Sequence, residues 1–228
     1  MPISPQKRKI TFVGTVHDEN GLCNAEALLE LLRTIEPDVV FEELRPSDFD
    51  SFYATKHTTE TKALSEYRKH RLIKQVPIDR YDIPENLIST FKEMLNNIFD
   101  YVEQKSQECW LLKDEIDRNT GLLGFKYLNS IDHARKWARI CEIQDKTIFG
   151  TGNQRLIRIL QIWRQQQHRR EIEMLGNIYE YCRENVFETG VFLVGASHKM
   201  GIAREIEKYA ATETNLITWN FAYDGKIP

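Results

Sequence analysis

The stretch KITFVGTVH, residues 9–17, is a short apolar run that ends in a glycine and, three residues later, a histidine. The stretch FLVGASH, residues 192–198, repeats this pattern near the other end of the chain. Placing the 11 glycines and 6 histidines at random predicts fewer than one such Gly-x-x-His pair. Glycine lets the backbone turn sharply at the end of a strand and lets a ligand approach closely. Two buried strands that each deliver an imidazole at their exit therefore predict a site at a sheet edge.

The segment after the first histidine predicts a parallel sheet. AEALLELLRTI, residues 25–35, has the leucine spacing of an amphipathic helix, and Pro37 closes that helix. DVVFEEL, residues 38–44, then has the composition of a second strand. A strand–helix–strand unit implies parallel strands joined by a right-handed crossover. Two further short strands are predicted at KQVPID, residues 74–79, and at NLITWNF, residues 215–221.

The middle of the chain predicts a mostly helical insertion over about residues 85–185. Apolar residues recur there at helical spacing, for example at Phe91, Leu95 and Ile98. The α/β pattern resumes with VFLVG, residues 191–195. We therefore expect residues 1–228 to form a single α/β domain with three layers, a central and mostly parallel sheet, and a large helical insertion that caps the carboxyl edge.

The composition narrows the class of partner. The chain has 228 residues, of which 41% are hydrophobic and 29% charged, with a formal net charge of -3. That charge argues against a nucleic-acid partner, since such proteins usually carry a concentrated positive field. No apolar run approaches the roughly 18 residues that a membrane span needs. The four cysteines show no metal-binding spacing, so we expect reduced thiols in a cytoplasmic protein, and a homodimer stays open.

The predicted strand ends bring together a set of polar residues. In open α/β sheets, the carboxyl ends of parallel strands hold the working residues, which here include His17, Glu43 and His198. Two imidazoles and a carboxylate suit a divalent metal such as Mn, Co, Fe or Zn. Without a metal, the same set could act as general base and electrostatic stabiliser. Because a strand alternates its faces, we expect Glu43 to point into the site and Glu42 to be solvated.

A second cluster of charges lies on the predicted helix HRREIEMLGNI, residues 168–178. Glu171 falls on the apolar stripe of this helix, and Arg170 lies beside it. A charge buried there is costly unless it is paired, and the polar strand ends, including Asp79 and Arg80, are the nearest source of partners. The pattern therefore predicts that Arg170 and Glu171 belong to the site. An exposed charged turn is the alternative interpretation.

The order of these motifs resembles a known superfamily. GTVH followed by a helix and by PDVVFEEL looks like the opening of the TraB and Tiki proteins, and PIDRYDIP is similar to the Asp-Arg segment of TraB proteins. RREIEMLGNI resembles a helix of the erythromycin esterases and of the ChaN haem-binding proteins, and VGASHKMGI resembles the closing Gly-x-x-His. The resemblance implies a TraB/Tiki-like chain with an erythromycin esterase/ChaN-like core.

The same resemblance implies roles for individual residues. A metal would be held by His17, Glu43 and His198, and the surrounding catalytic residues would be Glu43, Asp79, Arg80, Arg170 and Glu171, with Asn177 in support. The chain departs from the esterases in having Gly-Thr-Val-His where they have Gly-Glu-x-x-His. It also shows no Tyr or Cys motif that would identify an axial haem ligand.

The expected function is metal-dependent hydrolysis of an amide (peptide) or ester bond in a small molecule or a peptide, as the similarity to Tiki proteins implies. Arg80 or Arg170 would stabilise the oxyanion, and Asp79 or Glu171 would orient the arginines or relay a proton. The alternative is a non-enzymatic or regulatory protein that binds a metal, haem or another small ligand in the same cleft.

Overall fold

The computed structural model describes residues 7–79, 85–213 and 216–223, without the side chains of residues 85–90. Its five strands form one wholly parallel sheet in the order β3-β2-β4-β1-β5. The strands are β1 (Arg8–Thr15), β2 (Val39–Glu42), β3 (Lys74–Pro77), β4 (Thr189–Gly195) and β5 (Ile217–Phe221). The α/β class and the parallel sheet that the sequence predicts are thus confirmed.

The three central strands end side by side. In the register of the sheet, Thr15 at the end of β1 lies opposite Gly195 at the end of β4. Glu42 at the end of β2 lies opposite Leu193, two residues before the end of β4. Polar residues that follow these strands therefore share one edge of the sheet.

Helices cover both faces of the sheet because successive strand residues point in opposite directions. On one face, Phe12, Phe41 and Phe192 pack against α7 (Gln154–Glu184) and α8 (Lys199–Thr212). On the other face, the neighbouring strand residues pack against α1 (Ala25–Ile35) and α3 (Thr59–Tyr67). A short helix, α2 (Phe49–Thr55), precedes α3. This arrangement is the three-layer α/β architecture.

The described residues between β3 and β4 form four helices. They are α4 (Glu85–Lys105), α5 (Gln107–Leu128), α6 (Ile131–Gly150) and α7. The helices share a hydrophobic cluster of their own, which includes Ile98, Val102, Ile140 and Leu160. The second half of α7 leaves this cluster and joins the core against the sheet. Helix α7 therefore connects the helical region directly to the sheet.

Asn129, between α5 and α6, joins the helical region to the end of β1. Its Oδ1 accepts a hydrogen bond from the backbone N–H of Gly14 at 2.7 Å, and its Nδ2 donates to the carbonyl of Gly14 at 3.0 Å. A Cβ at Gly14 would lie 3.0 Å from Ala196, so this close approach favours glycine. The buried ammonium of Lys199 also donates to the Asn129 carbonyl. These bonds place α5 and α6 next to the exits of β1 and β4.

The cysteines and the length of the helices bear on two further expectations. All four cysteines are free thiols. Within the described ranges, no helix has both the length and the apolar character required to cross a bilayer.

Candidate functional site

The guanidinium of Arg170 on α7 connects two strand ends. Its Nη2 donates to Glu43 Oε1 at 2.5 Å and to Asp79 Oδ2 at 2.7 Å, and its Nε lies 3.2 Å from the same Asp79 oxygen. The Arg170 side chain is only 16% exposed. Arg170 therefore pairs with carboxylates at the polar strand ends, where the sequence places its partners. A fixed fork of donors suits two carboxylates from different strands, which a single ammonium could not hold in the same way.

His198 lies between two carboxylates. Its Nδ1 donates to Glu171 Oε1 at 2.9 Å, and its Nε2 lies 3.5 Å from Glu43 Oε1. Burial disfavours the charged imidazole, but the hydrogen bonds and charges of Glu171 and Glu43 outweigh it and raise the pKa of His198 to about 9. His198 is therefore an imidazolium at neutral pH.

Glu43 has both carboxylate oxygens engaged. Oε1 faces Arg170 and His198, and Oε2 accepts the backbone N–H of Gly195 at 2.7 Å. Burial opposes the charge on this carboxylate, but His198, Arg170 and the Gly195 N–H together hold its pKa well below the usual range. The prediction that Glu43 points into the site agrees with this placement.

Glu171 reaches His198 because α8 offers no side chain at the crossing point. A Cβ at Gly201 would lie 1.9 Å from Glu171 Oε2, so any larger residue there would displace the carboxylate. Glu171 is buried, as the apolar stripe of its helix predicts, and the buried charge has an imidazolium as its partner. The alternative interpretation of this helix as an exposed charged turn is wrong.

His17 is held by a glutamate that the sequence did not indicate. Its Nδ1 lies 3.3 Å from Glu60 Oε1 and is hydrogen-bonded to Glu60 Oε2 at 3.5 Å, and the hydroxyl of Thr15 donates to Oε1 at 2.6 Å. The backbone N–H of Thr59 donates to the carbonyl of His17 at 2.9 Å, which fixes the loop against the start of α3. The hydrogen bond with Glu60 raises the pKa of His17 above its ordinary value. The His17 side chain is 64% exposed, whereas that of Glu60 is 13% exposed.

An open cleft of about 640 Å³ lies at this edge of the sheet. His17, Glu43 and His198 line it, and so do residues of α5 and α6. The three strand-end residues therefore share one cleft, although only Glu43 and His198 are in contact through the charged network.

Glu42 does not behave as the alternation of strand faces suggested. It is 3% exposed, and its carboxylate accepts hydrogen bonds from the hydroxyl of Tyr53 at 2.5 Å and from Gln75 at 2.8 Å. Burial raises the pKa of Glu42 to about 7. The expectation of a solvated Glu42 is wrong because Tyr53 on α2 and Gln75 on β3 both bond to the carboxylate and it is buried.

The predicted metal set does not have the geometry of a metal site. Within the described ranges, no group of three or more His, Cys, Asp or Glu side chains could hold a metal ion. Both nitrogens of His198 face carboxylates, Nδ1 at 2.9 Å from Glu171 and Nε2 at 3.5 Å from Glu43. Arg170 already places a positive charge on Glu43. The residues present therefore do not fit a divalent metal.

Two predicted residues remain, Asn177 and Arg80. Asn177 on α7 donates to the carbonyl of Ile78 at 2.7 Å and so supports the exit of β3, next to Asp79. Arg80 lies outside the described residues.

Three residues around the cleft escaped prediction, namely Glu60, Asn129 and His133. The sequence around Glu60 carries a helix-start pattern, because Thr58 caps α3 and Glu60 lies in its first turn. That pattern could have located the helix, but not its contact with a residue 43 positions earlier.

No protein-family model, curated protein or solved structure matches the chain.

Proposed function

We propose that this protein hydrolyses an amide or ester bond, with His17 as the general base. The observation that carries the proposal is the His17–Glu60 pair, an exposed imidazole whose Nδ1 is oriented by a largely buried carboxylate. A hydrogen bond from Nδ1–H to Glu60 leaves the lone pair on Nε2, which is the form that accepts a proton. The same arrangement orients the histidine in hydrolases with a His–carboxylate pair.

The reaction needs two proton transfers at His17. Its Nε2 takes a proton from water while the water oxygen attacks the carbonyl carbon, and the carbonyl oxygen becomes an anion. The imidazolium then gives this proton to the leaving oxygen or nitrogen as the bond from that atom to carbon breaks. Glu60 stabilises the imidazolium that forms between the two steps.

His198 is the donor for the developing oxyanion, because its Nε2–H lies 3.5 Å from Glu43 and is not held by a short hydrogen bond as the donors of Arg170 are. It lines the cleft, and it is protonated at neutral pH. A preorganised charge in a partly desolvated site stabilises a transition state more than the same charge in water. The flanking carboxylates, Glu43 and Glu171, keep His198 charged and fixed in position.

Arg170 receives a different role from the one expected from the sequence. Its guanidinium is engaged by Glu43 and Asp79, so we assign it as a positioning residue that holds Glu43 against His198. Of the two residues expected to orient the arginines, Asp79 and Glu171, we assign this role to Asp79, which accepts from the guanidinium. The oxyanion role passes to His198.

The resemblance to TraB and Tiki proteins supports a hydrolase, and we extend the proposal to an erythromycin esterase/ChaN-like core. The metal dependence that the resemblance also implies is not included, because the donor set does not fit a metal. A small-ligand-binding protein is the second candidate. This candidate is favoured by the charged network, because its two cations, Arg170 and His198, are already paired with carboxylates. The carboxylates are Glu43, Asp79 and Glu171.

Hydrolysis of 4-nitrophenyl valerate and of the matching anilide by the purified protein tests the proposal. We expect turnover that survives EDTA and that falls by about 100-fold or more in His17→Gln. His70→Gln is the matched control, because His70 also faces a glutamate but lies on the surface away from the cleft. Turnover that is absent, or equal in His17→Gln and the wild type, would favour the binding protein.

The dependence of kcat/KM on pH should follow the two histidines. His17 must be neutral to accept a proton, so the rate should fall as the pH drops through the pKa of His17, which lies above 6.5. His198 must stay charged, so the rate should fall again as the pH rises through about 9. We expect a bell-shaped profile between these limits. A flat profile from pH 6 to pH 10 would contradict both assignments.

A further inference from the structure

The helical wall of the cleft, formed by residues of α5 and α6, contains two buried polar atoms without a partner. Thr120 on α5 and His133 on α6 are both 3% exposed, and both line the cleft. Neither Thr120 Oγ1 nor His133 Nδ1 has a hydrogen-bond partner within the described part of the protein. Leaving such an atom without a partner is unfavourable, because the group loses its hydrogen bonds to water and gains none in return. Two of them on one wall of one cleft suggest that a ligand supplies the missing bonds.

Other polar side chains between α5 and α6 do have hydrogen-bond partners. Asn129, between the same two helices, is 1% exposed and uses its side-chain oxygen and its side-chain nitrogen in hydrogen bonds. The side chain of Ser130 caps α6 by accepting the backbone N–H of His133. Buried atoms without a partner also occur elsewhere in the described residues, for example at Tyr67 and Tyr127, but those of Thr120 and His133 belong to residues that line the cleft.

The chemistry of the wall defines what it could bind. Burial, together with the nearby charge of Lys199, lowers the pKa of His133 to about 4, so its imidazole is neutral and offers one donor and one acceptor. A hydroxyl such as that of Thr120 also donates and accepts. Trp137, Ile116 and Leu128 line the same cleft and provide apolar contacts.

The rim of the cleft disfavours anions. Asp18, Glu19 and Asp117 line it, and all three are exposed. A substrate with a carboxylate or phosphate near this wall would meet like charges, whereas an uncharged polar group would not.

We propose that Thr120 and His133 form a recognition subsite for an uncharged hydrogen-bonding group, such as a carbonyl, carried by the acyl part of the substrate. The inference rests on the proposed hydrolase function and names its substrate class, a neutral ester or amide with a second polar group beyond the scissile bond. The strand ends carry out the chemistry, and the helical wall selects the substrate.

Three 4-nitrophenyl esters of equal chain length test this specificity. Levulinate carries an extra carbonyl, valerate lacks it, and hemiglutarate carries a carboxylate. After correction for the rate with hydroxide alone, we expect kcat/KM for levulinate to exceed that for valerate about tenfold, and hemiglutarate to be the poorest. Thr120→Val, which is nearly isosteric, and His133→Phe should each remove most of this preference while leaving kcat/KM for valerate within about threefold.

Tyr67→Phe is the matched control, because the Tyr67 hydroxyl is also buried without a partner but does not line the cleft. Its preference for levulinate should equal that of the wild type. A preference retained in both Thr120→Val and His133→Phe, or absent from the wild type, would show that these atoms bond only to water and would overturn the inference while leaving the hydrolase intact.

A protein that hydrolyses none of the three esters would instead contradict the proposed function. Binding of levulinic anilide and valeranilide, followed by tryptophan fluorescence, then decides the inference separately. Tighter binding of levulinic anilide that is lost in Thr120→Val would support the subsite in a binding protein. Equal affinity for both anilides would reject it.

Discussion

The two walls of the cleft treat buried polar groups in opposite ways. At the sheet edge, Arg170 donates to Glu43 at 2.5 Å and His198 donates to Glu171 at 2.9 Å, while Nε2 of His198 lies 3.5 Å from Glu43. On the helical wall, Thr120 Oγ1 and His133 Nδ1 are equally buried and have no partner among the described residues. A network in which every charge has a partner fixes its members in place. A wall whose polar atoms lack partners can form its hydrogen bonds with a ligand. We therefore assign the sheet edge to holding the charged residues in place and the helical wall to recognising a ligand.

Arg170→Lys should have the largest effect, because it breaks the network of the sheet edge. A single ammonium cannot reach Glu43 and Asp79 with the geometry of the guanidinium fork, so one buried carboxylate loses its partner. We expect the free energy of unfolding to fall by about 3 kcal/mol and kcat/KM to fall about 100-fold. Denaturant unfolding and ester hydrolysis measure the two quantities.

Arg169→Lys is the control for this change. Arg169 precedes Arg170 in the chain, and its side chain is 57% exposed and bonds to Glu173 on the surface. Its substitution should change the stability by less than about 0.5 kcal/mol. If the two substitutions behave alike, the network around Arg170 does not hold the site.

The adjacent glutamates give a smaller and more local comparison. Glu43→Gln removes the charge that faces His198 and Arg170, and we expect kcat/KM to fall about tenfold. Glu42→Gln should leave kcat/KM within about twofold, because Tyr53 and Gln75 hold this carboxylate away from the charged network. A larger loss in Glu42→Gln than in Glu43→Gln would reverse the assignment of the two residues.

Glu42 should nevertheless affect the pH dependence of stability. Its pKa is raised on folding to about 7, so the stability that it contributes is present below pH 4.5 and is lost as the pH rises towards 7. The free energy of unfolding of Glu42→Gln should lack this component between pH 4.5 and pH 7. Activity and stability thus distinguish two residues that are neighbours in the sequence.

The parts of this fold that follow from local patterns were predictable. The alternation of strand and helix gave the parallel sheet, and strand ends at one edge placed Glu43 and His198 together. The apolar stripe around Glu171 predicted a buried charge that needs a partner, and the partner is His198. These inferences needed only the periodicity of the elements and the cost of burying a charge.

Features that depend on which helix covers which strand end were not predictable. Glu60 meets His17 only because α3 begins over the loop that follows β1. Tyr53 buries Glu42 because α2 crosses the end of β2. The metal site was expected from the types of residue at the strand ends. Residue types alone do not show that Glu43 pairs with Arg170 and that His198 pairs with Glu171.

The most direct test of the central claim is a double-mutant cycle between His17 and Glu60, read as kcat/KM for 4-nitrophenyl valerate. If Glu60 acts by orienting His17, Glu60→Gln should lower kcat/KM about tenfold in the wild type and should have almost no further effect in His17→Gln. Losses that multiply in the double variant, or a Glu60→Gln variant as active as the wild type, would contradict a His17–Glu60 general base.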